Sequence, residues 1–184
     1  MTKKHIPLRV PYALSVHGNE EIRAVTAVLR GNTALGPKAK EFEKRIARLF
    51  GKQYGIFVNS GSSANLLAME LLQFPKGSEI ITPLLTFATT VAPIVQKGYV
   101  PVFADVEEGT YNINVDQIER LITKKTRALM IPSLIGNIPD LLRLRTIAKK
   151  HRLVLIEDSC DTLGGLFRKK PTGHFSDITT TSFY

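Results

Sequence analysis

The stretch RALMIPSLIGNIPDLLRLRTIAKKHRLVLIE, residues 127–157, decides the fold class of this chain. It opens with an apolar run, residues 127–132, and closes with a second one, residues 153–157. Residues 140–151, between these runs, have the pattern of an amphipathic helix. Two short apolar strands joined by such a helix predict a βαβ unit, in which the strands are parallel and helices cover the sheet.

The same alternation extends toward the N-terminus. Apolar runs predict strands at 54–59, 79–82 and 100–106, and amphipathic patterns predict helices at 20–30, 38–50, 63–72, 88–96 and from 114 onward. The fold class is therefore α/β, with a mostly parallel sheet and helices on both of its faces. No internal repeat or low-complexity linker interrupts the pattern, so we expect residues 1–184 to form one domain.

The last eight residues, 177–184, are β-branched and apolar, and no turn or cap follows them. This pattern predicts a sheet strand whose onward connection is not made. We therefore expect a domain that is incomplete at its C-terminal side. The alternative is an ordinary edge strand at a C-terminus.

Composition narrows the class of protein. The chain has 184 residues, of which 43% are hydrophobic and 22% are charged, values that exclude disorder, collagen and coiled coil for the chain as a whole. Its one cysteine, Cys160, allows no intrachain disulfide and favours a reduced, cytoplasmic setting. The basic start, Met1-Thr2-Lys3-Lys4, is followed by no apolar segment, and no run approaches the ~18 apolar residues of a membrane span. We expect neither a secretory leader nor a membrane segment.

The net charge of +9 raises the possibility of an anionic partner. The basic residues are spread over several predicted helices and are not interleaved with aromatic ones, so we expect a solvated surface and no nucleic-acid partner. Attraction of a phosphorylated substrate remains open. The four histidines lack metal-ligand spacing, so no metal site is predicted.

Three segments at the carboxyl ends of predicted strands carry the candidate chemistry. In residues 59–65, Gly61 permits a tight turn and Ser62 and Ser63 offer donors at a helix N-terminus, which suits a phosphate or a plain helix cap. In residues 157–161, an aspartate could hold a positively charged ring nitrogen or simply cap the next segment. Phe87 could stack on a flat ligand or pack in the core. Cys160 is expected to be a packed residue rather than a nucleophile.

Six motifs in one order give a family resemblance that covers residues 6–184. They are Asn59-Ser60-Gly61-Ser62-Ser63-Ala64-Asn65, Thr86-Phe87, residues 101–106, Gly136-Asn137, Glu157-Asp158, and residues 172–177 with Ser182-Phe183. Together they resemble the DegT/DnrJ/EryC1/StrS family of pyridoxal-phosphate enzymes, the nucleotide-sugar aminotransferases and their 3-dehydratase relatives.

The resemblance implies an architecture and partners. The family shares the fold of the aspartate-aminotransferase (fold type I) superfamily and forms homodimers whose active sites use both subunits. Residues 1–184 would be the N-terminal part of the large, cofactor-binding domain, with the smaller C-terminal domain absent. The implied cofactor is pyridoxal 5'-phosphate or pyridoxamine 5'-phosphate, and the implied substrate is a nucleotide-linked 4-keto-6-deoxyhexose.

The resemblance also assigns roles to individual residues. Ser62, Ser63 and Ser182 would bind the cofactor phosphate beside Gly61. Phe87 would stack on the pyridine ring, and Asp158 would pair with the ring nitrogen. Asp161 stands where aminotransferases of the family often carry Gln or His beside the cofactor.

The family's catalytic position is five residues after Ser182, at position 187, beyond Tyr184. Aminotransferases carry Lys there and 3-dehydratases carry His, so no catalytic residue is predicted within the chain. The motifs at 60–65, 157–161 and 182–184 favour the 3-dehydratase subgroup, with an aminotransferase as the alternative. A third possibility is an inactive half-enzyme, and we expect the 184-residue chain alone to show neither activity.

Overall fold

A computed structural model describes residues 14–184 of the chain, so the predictions made on the N-terminal segment at Met1 to Lys4 lie outside the described residues. The chain divides into two compact units at residues 39 and 40. In the first unit, helix α1 spans Asn19–Leu29, and the Gly18 N–H at its start donates to Oε2 of Glu21 at 2.7 Å. Helix α1 has no buried residue.

The second unit is built on a parallel sheet. Its strands are β1 (Glu79–Pro83), β2 (Val100–Ala104), β3 (Thr126–Pro132), β4 (Val154–Ser159), β5 (Leu166–Phe167), β6 (Lys170–Pro171) and β7 (Ile178–Thr181). The helices are α2 (Pro37–Leu49, which begins just before this unit), α3 (Gly61–Leu72), α4 (Ala88–Gln96), α5 (Val115–Leu121) and α6 (Leu141–His151). Five strands pair in the order β2-β1-β3-β4-β7, all parallel, while β5 and β6 form a separate antiparallel pair.

The register of the sheet brings three strand ends side by side. Pro132 of β3 pairs with Asp158 of β4, which pairs with Thr180 of β7. Because parallel strands present their carboxyl ends at the same edge, the residues that follow them share that edge. This edge is where ligands bind in open α/β sheets.

Both faces of the sheet are covered, as the sequence predicts. On one face, Leu129 and Leu155 pack with α5 and α6; on the other, Met130 and Ile156 pack with α3 and α4. Successive side chains of a strand point to opposite faces, so Asp158 lies on the α3 and α4 face, as Ile156 does. Glu157 lies on the opposite face.

The strand predicted at 54–59 is wrong. Among the described residues, this segment has no partner strand, and Ile56 is 68% exposed. The Phe57 N–H donates to Oε1 of Glu43 at 2.9 Å, a side chain of α2. A cavity of about 390 Å³ is lined by residues 54–61 and by residues 179–184, which include the end of edge strand β7. Apolar residues form a strand only where a neighbour supplies backbone hydrogen bonds, and no described strand pairs with this segment.

The predicted C-terminal strand is also shorter than the pattern suggests. Strand β7 ends at Thr181, and Ser182, Phe183 and Tyr184 follow without a ladder partner. Within residues 14–184, no helix is both long and apolar enough to cross a bilayer.

Candidate functional site

Asp158, near the carboxyl end of β4, is the centre of a buried polar cluster and is only 5% exposed. Its Oδ2 atom accepts hydrogen bonds from Asn65 Nδ2 and from Thr90 Oγ1, both at 2.8 Å. Its Oδ1 atom accepts the Cys160 N–H at 3.2 Å, and the Cys160 thiol, a weak donor, also hydrogen-bonds to this carboxylate. A carboxylate oxygen can accept about two hydrogen bonds, so Oδ1 can accept one strong donor besides the Cys160 N–H.

No positive charge compensates Asp158 among residues 14–184. The ion pairs of the described chain involve other carboxylates, and none places a Lys, Arg or His nitrogen within 4.0 Å of Asp158. Burying a carboxylate without a cationic partner is costly. The site is therefore chemically suited to a bound group that brings a positively charged N–H donor.

Asn65 is a site residue that the sequence analysis did not single out. It is 1% exposed, and its Oδ1 accepts a hydrogen bond from Thr180 Oγ1 at 2.6 Å. Asn65 shares the buried face of α3 with Ala68 and Met69, three and four positions later. A polar side chain on the apolar face of an amphipathic helix was the available clue, because such a group is buried only with partners.

Helix α3 begins at Gly61, two residues earlier than the sequence predicts. The predicted phosphate-binding loop therefore includes the first turn of this helix. Ser60 caps the helix, because its Oγ accepts the Ser63 N–H at 3.1 Å. The Ser62 hydroxyl lies outward and donates to Thr89 Oγ1 at 3.2 Å. The first N–H groups of a helix have no partner within the helix, so Gly61 and Ser62 present donors to an anion here.

Gly61 joins this helix start to the end of β7. A Cβ atom at position 61 would lie 2.7 Å from Cys160 Sγ and 2.9 Å from Ser182 Cβ. The structure therefore brings Ser182 next to the first turn of α3. Only a residue without a side chain fits at this contact.

Phe87 is the N-cap residue of α4 and is 68% exposed. The alternative prediction, that Phe87 packs in the core, is therefore wrong. Three positions later, Thr90 donates to Asp158. Phe87 thus offers an open aromatic ring near the start of the helix that holds Asp158.

Asp161 lies at the same edge but serves another contact. Its Oδ2 accepts the Ile135 N–H at 3.0 Å, a backbone group of the turn at residues 134–136. Ile135 has φ 49° and ψ 30°, a left-handed conformation that is rare for a β-branched residue. Asp161 therefore stabilises a strained turn at the carboxyl end of β3.

Cys160 and Glu157 complete the segment that the sequence analysis highlighted. Burial, and then the neighbouring charge of Asp158, raises the pKa of the Cys160 thiol, which suits a packed residue. On the opposite face of β4, Glu157 Oε2 accepts hydrogen bonds from Thr179 Oγ1 at 3.0 Å and Ser176 Oγ at 3.3 Å. Glu157 is thus separated from Asp158 by the strand itself.

Lys52 contacts the loop that leads into β7. Its Nζ donates to the carbonyl oxygens of Ser176 at 2.6 Å and Asp177 at 3.3 Å. Burial lowers the pKa of Lys52, and the charge of Glu157 partly opposes that effect. These contacts make a second polar cluster, on the opposite face of β4 from Asp158, that stabilises the fold.

Comparison with known proteins places the chain in a family. The profile of the DegT/DnrJ/EryC1/StrS aminotransferase family matches residues 16–184, nearly the whole described chain. The chain belongs to this family. The resemblance found in the six motifs is confirmed, as is the fold class that it implies.

Relatives in the DegT/DnrJ/EryC1/StrS family include both reaction types. A dTDP-4-dehydro-2,6-dideoxy-D-glucose 3-dehydratase from Saccharopolyspora spinosa is 44% identical over 97% of this chain and 40% of its own length. The putative sugar aminotransferase Spr1654 from Streptococcus pneumoniae, solved in its PLP form, superposes with a TM-score of 0.90 at 27% identity. That match covers 96% of this chain and 49% of the aminotransferase.

A third relative is a GDP-4-keto-6-deoxymannose-3-dehydratase, a mutant of which was solved with bound GDP-perosamine. It superposes with a TM-score of 0.88 at 31% identity, covering 94% of this chain and 47% of the dehydratase. The chain thus spans between two fifths and half of the length of these family members. Within residues 14–184, no group of three or more His, Cys, Asp or Glu side chains is arranged to hold a metal ion.

Proposed function

We propose that this chain forms the cofactor-holding part of a pyridoxal- or pyridoxamine-phosphate enzyme that acts on a nucleotide sugar. One observation carries the proposal. The carboxylate of Asp158 is buried at the ligand-binding edge of the sheet, has no cationic partner among the described residues, and has only the weakly donating Cys160 thiol to compete for its last acceptor position. A protonated pyridine nitrogen supplies the missing charge and the missing donor.

The remaining site residues fit the rest of the cofactor. Phe87 offers an open ring for stacking on the pyridine face. Ser62, Ser63 and Ser182, grouped around Gly61, offer hydroxyls and backbone N–H groups to the phosphate. When bound, the cofactor supplies an electron sink that stabilises the negative charge left when a C–H bond adjacent to its amine nitrogen breaks. Asp158 contributes by keeping the proton on the ring nitrogen, which makes that sink effective.

Within this function, we favour a 3-dehydratase of a 4-keto-6-deoxyhexose over an aminotransferase. The relative with 44% identity carries a 3-dehydratase name, and the motifs at 60–65 and 157–161 point the same way. The residue at position 187 in the encoding gene discriminates between the two reactions. His there supports the dehydratase, and Lys there supports the aminotransferase.

The proposal extends to partners and setting. We infer a homodimer, because apolar side chains such as Leu84, Leu85 and Phe87 are exposed at or near the candidate site. A cytoplasmic setting suits the single, unpaired Cys160.

The test of the proposed function is a calorimetric titration of the purified chain with pyridoxamine 5'-phosphate, which measures the binding affinity. The variant Asp158→Asn keeps the shape of the side chain and removes its charge, so we expect affinity to fall on the order of 10- to 100-fold. Glu108→Gln, which removes an exposed carboxylate from the loop between β2 and α5, is the matched control and should bind as the unmutated chain does. Equal affinities of the parent and Asp158→Asn would contradict the proposal.

A further inference from the structure

We propose that Asn65 and Thr90 are positioning residues, which fix the Asp158 carboxylate so that Oδ1 is the oxygen presented to the cofactor's ring nitrogen. This inference rests on the proposed function and adds to it the residues that set the direction of the carboxylate. The argument begins with Oδ2, which accepts two hydrogen bonds of 2.8 Å. Since both of its acceptor positions are filled, Oδ2 is not available to a ligand.

The amide of Asn65 is held in one orientation. Its Nδ2 donates to Asp158 Oδ2 at 2.8 Å and to the Thr89 carbonyl oxygen at 3.2 Å, which uses both N–H bonds. Its Oδ1 accepts from Thr180 Oγ1 at 2.6 Å. Turning the amide over would place its oxygen against two other acceptors, so the three contacts together exclude that orientation.

The Thr90 hydroxyl is directed in the same way. It accepts a hydrogen bond from Thr86 Oγ1 at 2.9 Å and donates its one proton to Asp158 Oδ2. Thr90, like Asn65, is only 1% exposed, so water does not compete with these contacts. The hydroxyl chain therefore runs in one direction, from Thr86 through Thr90 to Asp158.

The hydrogen bonds around Asp158 come from separate elements of the fold. Asn65 belongs to α3, Thr90 to α4 and Thr180 to β7. A carboxylate at the end of a side chain rotates about its last bond unless donors fix it. Donors from two helices fix Oδ2 toward the interior, and the Cys160 N–H takes only one position on Oδ1.

The experiment compares two probes, pyridoxamine 5'-phosphate and its analogue in which carbon replaces the ring nitrogen. In the parent chain we expect a preference for the first probe on the order of 10- to 100-fold, because only it donates to Asp158. Thr90→Val removes the hydroxyl with little change of shape, and Asn65→Leu removes the amide at similar volume. Each should reduce the preference by about fivefold or more, with little change for the carbon analogue.

Thr90→Ser is the matched control, since it keeps the hydroxyl and should keep the preference. General damage to the site lowers the affinity for both probes equally and leaves their ratio unchanged. An unchanged ratio in Thr90→Val therefore overturns the positioning role, as does an equal loss in Thr90→Ser. If Asn65→Leu does not fold, the Thr90 pair decides the outcome.

The preference of the unmutated chain for one of the two probes separates this inference from the proposed function. A parent that prefers pyridoxamine 5'-phosphate while the variants keep that preference leaves the proposed function standing and removes the positioning role. A parent that binds both probes equally, or neither, overturns the assignment of Asp158 and with it the positioning role.

Discussion

The Nδ2 atom of Asn65 and the Oδ2 atom of Asp158 lie 2.8 Å apart, although 93 positions separate the two residues in the chain. One residue lies in the first turns of α3 and the other near the end of β4. Their contact connects the predicted phosphate loop to the predicted ring-nitrogen carboxylate. Two ends of one cofactor would thus be held by a single hydrogen-bonded unit.

Gly61→Ala is expected to destabilise the chain by roughly 1–3 kcal/mol, because overpacking a tight contact forces its neighbours apart. The new Cβ would lie 2.7 Å from Cys160 Sγ and 2.9 Å from Ser182 Cβ. Urea unfolding followed by circular dichroism measures the loss. The double variant Gly61→Ala with Cys160→Ala should recover part of it, since the sulfur is one of the two obstacles. An unfolding midpoint unchanged in Gly61→Ala would show that the contact is loose.

Ile135→Asn is expected to stabilise the chain by about 1 kcal/mol, because asparagine tolerates the left-handed conformation better than a β-branched residue does. Ile135 is 65% exposed, so little burial is lost. Thermal and urea unfolding measure the gain. Ile135→Val, which keeps the β-branch, is the control and should gain nothing. A similar gain in both variants would mean that strain at position 135 is not the cause.

Lys52→Met is expected to destabilise the chain by roughly 1–3 kcal/mol, because the Ser176 and Asp177 carbonyl oxygens lose a charged donor and the buried Glu157 loses the nearby positive charge that acts on it. The double variant Lys52→Met with Glu157→Gln should regain part of this loss, since the buried charge is then also removed. Urea unfolding at pH 7 measures both. Losses that simply add in the double variant would contradict coupling between the two side chains.

The same residue predicts a pH dependence with a defined sign. Burial lowers the pKa of Lys52 in the folded chain below its ordinary value of 10.5. The unfolded chain therefore binds more protons than the folded chain between these two values, and the free energy of unfolding rises with pH there. The parent should show a more positive slope than Lys52→Met as pH approaches 10.5. Identical slopes in unfolding series at several pH values would rule out this linkage.

Cys160 is expected to react slowly with a thiol reagent in the folded chain, because burial and the charge of Asp158 raise its pKa and suppress the thiolate. It is the chain's only cysteine, so labelling reports on one site. At pH 8 we expect labelling with a chromogenic disulfide to be at least about tenfold slower in the folded chain than in urea. The urea-unfolded sample is the control for reagent and pH. Equal rates would contradict a half-buried, protonated thiol.

The fold class followed from local patterns, but one segment shows the limit of those patterns. Residues 127–157 form the predicted strand, helix and strand, because each apolar run there finds a parallel neighbour. Residues 54–59 have an equally apolar composition and form no strand. An apolar composition allows a segment to form a strand. Whether it does so depends on a neighbouring strand that supplies backbone hydrogen bonds.

The site divides in the same way. Gly61, Ser62, Ser63, Phe87, Asp158, Asp161 and Ser182 were all named from sequence, and the structure places Gly61 against Ser182 and leaves Phe87 open. The sequence analysis did not single out Asn65 or Thr90, although each is a polar side chain on the buried face of its helix. It also did not show that Asp161 holds the strained turn at Ile135.

By itself, the sequence determined the alternation of strands and helices, the family and the residues that follow each strand, because these depend on neighbours along the chain. Only the tertiary structure decided which atoms meet. It set Glu157 and Asp158 on opposite faces of one strand, and it joined α3, α4 and β7 at one carboxylate. The physical reason is that a buried polar group must find its partners in space, and those partners come from elements far apart in sequence.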